Sequence, residues 1–476
     1  MPAQKTDYDA VVVGSGPNGL AAAIHLQQNG LSVLLIEGKP TIGGGLRTTG
    51  LTLPGYMHDI CSAVHPMAVG SSFFETLPLA EHGLEYIYPE IDAAHPLDNG
   101  DAGILVRSVS KTADLLGNDA SAYKSLIMPV VKDWPSIAPD ILGPLHYPKH
   151  PLAMARFGLP ALTSAARLVK RFETTKARAL IGGMSAHSIR PLSGLATSAI
   201  ALVLMANGHL KGWPIPRGGS VQIANSLASY FKSLGGKIET NIWVTSLQQL
   251  PSSRAVLFDV TPRQLLEIAG HKFSAFYKWQ LQRYRYGMGV FKIDWALDAP
   301  IPFKNEDCRK AGTIHIGNTF EEIASGEQQI WEGAHPETPY VLLAQPSILD
   351  ATRAPAGKHV AWAYCHVPNG SEKDMTAIIE NQVERFAPGF KAIILARHTL
   401  NSMQMQDYNP NYIGGDINGG VLDLAQLFTR PALRWSPYKT SAKGLYICSS
   451  STPPGGGVHG MCGYNAAKRV LKDLNR

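Results

Sequence analysis

Three glycines near the start of the chain have the spacing of a phosphate-binding turn. They follow the apolar segment 10–13 and precede an apolar helical face. The first glycine permits a tight turn, the second removes a side chain that would block a pyrophosphate, and the third lets a helix pack against a strand. Free amides at the N-terminus of that helix are suited to bind phosphate oxygens. The predicted phosphate-contact residues are Gly14, Ser15, Gly16, Pro17, Asn18 and Gly19.

An acidic residue follows at the position where a ribose would lie. The apolar segment 33–36 predicts a second buried strand, and it ends at Glu37. A carboxylate there can accept hydrogen bonds from the ribose hydroxyls, and its charge disfavours a 2′-phosphate. Strand, glycine turn, helix, strand and acid in register predict a βαβ unit that binds a dinucleotide. A second match to the glycine spacing, near residue 457, is too close to the C-terminal end of the sequence for such a unit.

The composition limits the classes of function. With 45% hydrophobic and 17% charged residues among 476, the chain can bury a large core and is not of the disordered class. A net charge of +6 is small for a nucleic-acid-binding surface, so we expect no nucleic-acid partner. Five widely spaced cysteines indicate neither a disulfide framework nor a metal site. We find no pattern of a secretory signal or membrane span, and expect a cytoplasmic protein.

A second glycine stretch lies six residues past the acid. A nicotinamide-binding unit has no need of the sequence from Gly43 to Arg47. It resembles the second glycine stretch of the two-dinucleotide-binding-domain flavoproteins, which passes close to the pyrophosphate. The resemblance implies FAD as the cofactor. It adds to the predicted cofactor site Gly38, Gly44, Gly45, Leu46 and Arg47.

Two distant segments are expected to complete this cofactor domain. In the first, residues 241–244 have the pattern of a strand that would place the backbone of Val244 beside the adenine, and residues 255–262 form the next buried strand. In the second, a strand at 444–448 leads through a glycine-rich turn to a helix at 464–474. The amides of Gly460 and Met461 in that turn are our candidates for contact with the flavin, whose N1 and C2 carbonyl become negative on reduction.

Four motifs together resemble the phytoene-dehydrogenase-like flavoproteins. They are SSSTPPGGGVHGMCGYNAA at 449–467, GWPIPRGG at 212–219, APGF at 387–390 and GGDI at 414–417. The similarity is greater to the branch named for pyridine nucleotide-disulfide oxidoreductase domain-containing protein 2 than to carotenoid desaturases. It implies an α/β fold with a Rossmann-like FAD-binding domain and an interleaved α+β substrate domain. We assign residues 1–62, 212–262 and 398–476 to the first domain, and residues 63–211 and 263–397 to the second.

The function implied by the resemblance is FAD-dependent dehydrogenation of an apolar small molecule, with hydride transfer to flavin N5. Oxygen, a quinone or another acceptor would re-oxidise the flavin. Amine oxidation, redox-neutral isomerisation and a non-catalytic flavin-binding role stay open. The catalytic candidates are His459 in the flavin-facing turn, and Asp59 and His65 after the second glycine stretch. His58 precedes Asp59 and is a candidate for the same edge of the flavin. Further candidates for the pocket are Tyr408, Asn409, Asp416 and Asn418.

A basic segment near residues 150–180 is predicted to form a helical lid. Apolar residues keep helical spacing between 161 and 172, and Arg167, Lys170 and Arg171 lie beside them. The basic cluster is extended by Arg156, Lys176 and Arg178. One interpretation is a lid that docks on a membrane and delivers a lipophilic substrate; the other is a solvated helix face over the core.

Overall fold

A computed structural model describes residues 6–427 and 429–474. The strands are β1 Tyr8–Val13, β2 Val33–Ile36, β3 Thr48–Gly50, β4 Met57–Asp59, β5 Tyr86–Ile87, β6 Ile91–Pro96, β7 Ala102–Leu105, β8 Ile215–Pro216, β9 Lys237–Glu239, β10 Ser253–Phe258, β11 Gly289–Leu297, β12 Ala311–Ile316, β13 Val341–Ala344, β14 His359–Val367, β15 Ile394–Leu400 and β16 Leu445–Ile447.

The α-helices are α1 Pro17–Gln28, α2 Pro66–Val69, α3 Val109–Leu115, α4 Ala120–Ile141, α5 Pro151–Ala161, α6 Ala165–Leu168, α7 Thr175–Ala186, α8 Thr197–Lys211, α9 Val221–Ser233, α10 Pro262–Ala269, α11 Ala275–Gln282, α12 Glu306–Lys310, α13 Phe320–Trp331, α14 Thr376–Phe386, α15 Ser402–Tyr408, α16 Leu424–Leu427 and α17 Met461–Leu474.

One sheet is parallel and has the order β16, β10, β1, β2, β9. Its central strands are apolar and buried, as expected where helices cover both faces of a parallel sheet. The carboxyl ends of β1, β2 and β10 meet at one edge, which is where open α/β sheets bind their ligands. The glycine turn and Glu37 therefore lie at the same edge.

Helix α1 packs closely against α17. A Cβ on Gly463 would lie 1.8 Å from the carbonyl oxygen of Asn18, so only glycine lets the two backbones approach this far. Both ends of the chain thus build the same side of the parallel sheet. The closing helix begins at Met461, three residues before the position predicted for it.

The other large sheet is mixed and has the order β15, β11, β14, β13, β12, β6, β7. Alternate side chains of its strands face opposite ways. Leu343 of β13 and Ala363 of β14 belong to one apolar core. Their neighbours on the opposite face, Leu342 and Trp362, pack with α4, α7 and α8 in another core, beside a cavity.

The strands of the two sheets alternate along the chain, so neither sheet comes from one continuous segment. This is a Rossmann-like α/β unit combined with a mixed sheet and helices. Strand β15 belongs to the mixed sheet and continues to Leu400, beyond the boundary predicted at residue 397. The domain division as a whole stays a prediction.

The strand predicted at residues 241–244 is wrong. The edge strand of the parallel sheet is β9, and it ends at Glu239. Asn241 then has φ +60°, a left-handed conformation that turns the chain out of the sheet. The amides of Asn241 and Ile242 donate to the carbonyls of Lys39 and Glu37, respectively, which holds this segment across the end of β2.

The lid predicted near 150–180 is divided into several short helices. Helix α5 ends at Ala161, and Ser164 caps the separate helix α6 by accepting a hydrogen bond from the Arg167 amide. Leu162, predicted on the apolar face, is 48% exposed at this break. Among the described residues, we find no helix with the length and apolar character needed to span a bilayer.

Candidate functional site

Two cavities adjoin at the carboxyl edge of the parallel sheet. The outer cavity has a volume of about 280 Å³ and extends along the ends of β1 and β2. The inner cavity, of about 320 Å³, extends from the same glycines to the mixed sheet. Gly16, Gly44 and Asn409 line both. The arrangement gives an elongated site with a polar end and an apolar end.

Most of the predicted cofactor residues lie in these walls. The outer cavity is lined by Gly14, Ser15, Gly16, Glu37, Gly38, Gly44, Arg47 and Val244. The inner cavity is lined by Gly16, Pro17, Asn18, Gly44, Gly45 and Leu46. Gly19, Gly460 and Met461 line neither cavity.

The glycines of the first turn allow one left-handed residue and two close approaches. Gly14 has φ +101°, a conformation that L side chains rarely adopt. A Cβ on Gly16 would lie 2.8 Å from the Asp259 carboxylate, and one on Gly19 would lie 1.9 Å from the Gly14 carbonyl oxygen. Side chains here would block the turn that brings the α1 N-terminus to the cavities.

Glu37 connects the two glycine stretches. Its Oε2 accepts hydrogen bonds from the amide and hydroxyl of Ser15, at 3.0 and 2.5 Å. Its Oε1 accepts from the Lys39 amide at 2.9 Å and from Arg47 at 3.3 Å. The carboxylate therefore holds the end of β2 against the first glycine turn while it lines the outer cavity.

The second glycine stretch is held from two sides. Arg47 is buried and donates to the carbonyls of Thr41 and Gly44 as well as to Glu37. Tyr408 donates its hydroxyl to the same Gly44 carbonyl at 2.8 Å. The Arg47 guanidinium thus fixes the shape of the loop from inside the protein. Gly38 lies under the indole of Trp243, where a Cβ would be 2.3 Å from the ring.

Sequence reasoning missed Asp259 as a site residue. It follows β10 directly, and its Oδ2 accepts the Gly19 amide at 2.9 Å, at the N-terminus of α1. It also lines the inner cavity. Burial, together with the charge of Glu37, raises the pKa of Asp259 to about 7. The available signal was its place at the end of a parallel strand, at the ligand-binding edge.

The structure separates the two catalytic candidates that follow the second glycine stretch. His65 lines the inner cavity, and its Nε2 lies 2.8 Å from the Ser220 hydroxyl. That hydroxyl donates to the Ser62 carbonyl, so the ring donates from Nε2 and keeps its lone pair at Nδ1. Nδ1 is buried with no hydrogen-bond partner among the described residues. Burial lowers the pKa of His65 to about 4.

Asp59 has a structural environment instead. Its carboxylate accepts from Arg353 at 2.8 Å, from the Thr48 hydroxyl at 2.6 Å and from the Ser220 amide at 2.8 Å. It lies outside both cavity walls. His58 is also absent from both walls, and its Nε2 lies 2.8 Å from the Thr52 hydroxyl. These contacts place His58 and Asp59 outside the cavity walls, and their catalytic role stays a prediction.

His459 is likewise turned away from the cavities, although Gly457 and Val458 line the inner one. Its Nδ1 accepts the Met461 amide at 3.0 Å, which caps the start of α17. The same bond occupies the Met461 amide that we expected to contact a flavin carbonyl. The geometry therefore favours a structural role for His459 and leaves the amides of this turn as an untested prediction.

The rest of the inner cavity is mainly apolar and aromatic. Trp362 and Tyr364 lie two residues apart on the same face of β14, and their ring centroids are 5.7 Å apart. Both line the cavity together with Tyr412. Ile200, Val203 and Leu204 of α8 line it as well. Within the described part of the chain, the only lining residue with a charged side-chain type is Asp259, at the glycine-turn end. The mixed-sheet end is therefore suited to an uncharged molecule.

His187 is a polar group of this end that sequence reasoning missed. It follows α7, lines the inner cavity, and has its Nε2 3.0 Å from Nε2 of His315. Burial lowers the pKa of His187 to about 3, so the ring is neutral near neutral pH. No local pattern could identify it, because only the packing of α7 against the mixed sheet brings it here. Of the other candidates, Tyr408, Asn409 and Asn418 line a cavity, while Asp416 accepts backbone amides elsewhere.

A bound dinucleotide fits these residues. The helix N-terminus, the glycine cradle and the carboxylate of Glu37 follow one another along the two cavities. Gly44 approaches Gly16 so closely that a Cβ on it would lie 3.1 Å from the Gly16 Cα. The side-chain oxygen of Asn18 is buried in the inner wall without a hydrogen-bond partner in the described structure. Past the glycine cradle, the inner cavity continues as a mainly apolar chamber.

Comparisons with known proteins agree with this architecture. A family model described as an NAD(P)-binding Rossmann-like domain matches residues 12–75. Cyclohexylamine oxidase from Brevibacterium oxydans IH-35A superposes with a TM-score of 0.57 at 14% identity, covering 99% of this chain and 100% of that one. The chain therefore shares the fold of this oxidase over nearly its whole length.

Two sequence relatives extend over nearly the whole chain. Mouse pyridine nucleotide-disulfide oxidoreductase domain-containing protein 2 is 27% identical, over 99% of this chain and 94% of its own length. A limonene dehydrogenase polypeptide from Castellaniella defragrans is 23% identical, over 98% of this chain and 95% of its own length. Both relatives therefore match this chain from end to end at low identity.

Asp259 gives the site a pH dependence. Its pKa is raised in the folded protein, so folding favours the protonated form, and stability falls as pH rises from its unfolded value of 3.8 through about 7. We expect Asp259→Asn to melt at a higher temperature than the wild type at about pH 8.5 and to lose that advantage progressively as the pH falls from about 7 toward 3.8. Thermal unfolding of the nucleotide-free protein across this range measures the difference. The exposed Asp114→Asn is the matched control; equal pH profiles for all three proteins would contradict the assignment.

Proposed function

We propose that the protein is an FAD-dependent oxidoreductase that dehydrogenates an uncharged, largely apolar small molecule. The observation that carries this function is the junction of the two cavities at Gly16 and Gly44. On one side of the junction lies the carboxylate of Glu37, and on the other lies an apolar chamber. A site of this form can hold a dinucleotide and a hydrophobic substrate end to end.

Each part of the site has a distinct role in this function. The α1 amides bind phosphates and Glu37 binds ribose hydroxyls. When bound, FAD supplies a two-electron acceptor for the hydride of the substrate. The apolar walls exclude water and orient the substrate by shape. In this proposal the unpartnered Nδ1 of His65 receives the substrate's proton, and neutral His187 hydrogen-bonds a single polar group of the substrate.

A cytoplasmic setting is part of the same proposal. The cysteines are all free thiols, and four of them are buried. Unpaired, widely separated cysteines agree with a reducing compartment. The electron acceptor is an external one, since the described sheets contain one dinucleotide-binding turn of the strand, glycine and helix type.

Amine oxidation is the second candidate. The aromatic side chains of Trp362, Tyr364 and Tyr412 at the inner cavity favour it, because aromatic faces bind amines through cation–π contact. Cyclohexylamine oxidase, which shares the fold, is named for an amine with an apolar ring. The two proposed functions differ in the class of compound that reduces the flavin. A panel of substrates therefore distinguishes them.

The Glu37 carboxylate should control retention of FAD. Glu37→Gln keeps the size of the side chain and removes its charge. Because a charge-assisted hydrogen bond is worth about 1.5 to 3 kcal/mol, the dissociation constant should rise about ten- to a hundredfold. Isothermal titration calorimetry, with FAD added to the nucleotide-free protein, measures the dissociation constant. Glu239→Gln, at the end of the neighbouring strand, is the control; unchanged affinity in Glu37→Gln would remove the ribose role.

Anaerobic reduction tests the reaction itself. The FAD-loaded protein is mixed with neutral apolar compounds, alcohols and amines, and the visible flavin absorbance is followed. We expect bleaching by a neutral apolar compound, and we expect Val203→Asp to abolish it while the flavin spectrum persists, because the new charge lies in the apolar wall. Leu395→Asp, at an exposed position, should bleach like the wild type. Bleaching by amines alone would select amine oxidation instead.

A further inference from the structure

Several strongly exposed apolar side chains lie together on a helical hairpin. Helices α4 and α5 are joined by a loop in which Leu145 is 74% and Tyr147 is 84% exposed. On α5, Leu152 and Leu159 are 78% and 75% exposed. Leu162 follows at the end of the helix. We call these five residues the hairpin surface.

The hairpin surface is separate from the core that the same helices build. Leu152 and Leu159 are seven residues apart and share one face of α5. The opposite face, with Ala153, Phe157 and Ala161, is buried against α4 and α8. Packing inside the protein therefore does not account for the exposed leucines.

The chain segment that carries the hairpin surface is basic. Between Asp140 and Glu173 the sequence contains no acidic residue and five basic ones: Lys149, Arg156, Arg167, Lys170 and Arg171. All five are exposed. Arg156 pairs with Asp133 of α4, whereas we find no ion pair for the other four within the described ranges. Exposed leucines among uncompensated cations are the pattern of a surface that binds anionic lipid.

The exposed apolar residues lie in a different part of the chain from the one predicted. The apolar residues predicted for this surface near 165–172 are buried, and Lys176 and Arg178 are paired with Asp101 and Glu321. The exposed apolar residues lie earlier, at 145–162. The cations at 167–171 keep their place beside them in sequence.

We propose that the hairpin surface docks on an anionic phospholipid bilayer. Its leucines and Tyr147 enter the interface, while Lys149, Lys170 and Arg171 contact the headgroups. A second copy of the chain is a poor occupant, because a two-fold contact would bring the same cations together.

The position of this surface suits delivery of an apolar substrate. Helix α5 packs on α8, and the Ala196 amide donates to the Leu162 carbonyl at 3.2 Å. Ile200 and Val203 of α8 line the inner cavity. The docking surface thus lies on the outer face of α5, and α8 lies between α5 and the chamber. This delivery role rests on the proposed function, whereas membrane docking does not.

Co-sedimentation with vesicles tests the docking. The purified full chain is mixed with phosphatidylcholine vesicles, with or without phosphatidylserine. We expect binding to the vesicles that contain phosphatidylserine, and a loss of about tenfold or more in both Tyr147→Ser/Leu152→Ser/Leu159→Ser and Arg167→Glu/Lys170→Glu/Arg171→Glu. The controls Phe276→Ser/Leu395→Ser and Lys272→Glu/Lys443→Glu change exposed residues elsewhere and should bind like the wild type.

A second measurement follows insertion directly. In Tyr147→Trp, indole fluorescence should shift to shorter wavelength when vesicles containing phosphatidylserine are added. Absence of wild-type sedimentation, or equal binding by the altered hairpins, would overturn the docking. A dimer that the leucine changes dissociate, without vesicle binding, would overturn it in favour of self-association. Flavin reduction in solution is measured separately, so failure to dock leaves the proposed reaction testable.

Discussion

The cofactor site depends on the hydrogen bonds that the carboxylate of Glu37 accepts. The carboxylate is buried, and a buried charge must be matched by donors. Ser15, Lys39 and Arg47 supply them from the first glycine turn, the end of β2 and the second glycine stretch. The two stretches, separated in sequence, are thereby held at one edge of the parallel sheet. The junction of the two cavities follows from that arrangement.

Electrostatics and packing divide the two ends of the site. At the polar end, Asp259 accepts a hydrogen bond from an amide of the α1 N-terminus, which is also the expected binding place of the phosphates. When Asp259 is ionised, its negative charge therefore opposes binding of the dinucleotide. At the apolar end, the alternation of β13 and β14 turns Leu342 and Trp362 toward the cavity and their neighbours toward the other core. The first end is sensitive to pH, whereas the second selects by shape and polarity.

The parts predicted from sequence are those whose signals are local. Strand, glycine turn and helix follow from periodicity and from the spacing of Gly14, Gly16 and Gly19. His187 and Asp259 could not be found in this way, because they reach the site through contacts between segments far apart in sequence. The prediction of a strand at 241–244 is wrong because Asn241 is left-handed and turns the chain out of the sheet. The predicted helical lid is divided because Ser164 caps the start of a separate helix.

The identity of the nucleotide bound at the joined cavities tests the central claim most directly. The purified protein is denatured, and the released nucleotide is identified by mass spectrometry and quantified against protein. A site built from Glu37, the α1 N-terminus and both glycine stretches should release FAD at close to one molecule per chain. Release of NAD or NADP in its place, or no FAD even after incubation with an excess, would contradict the account.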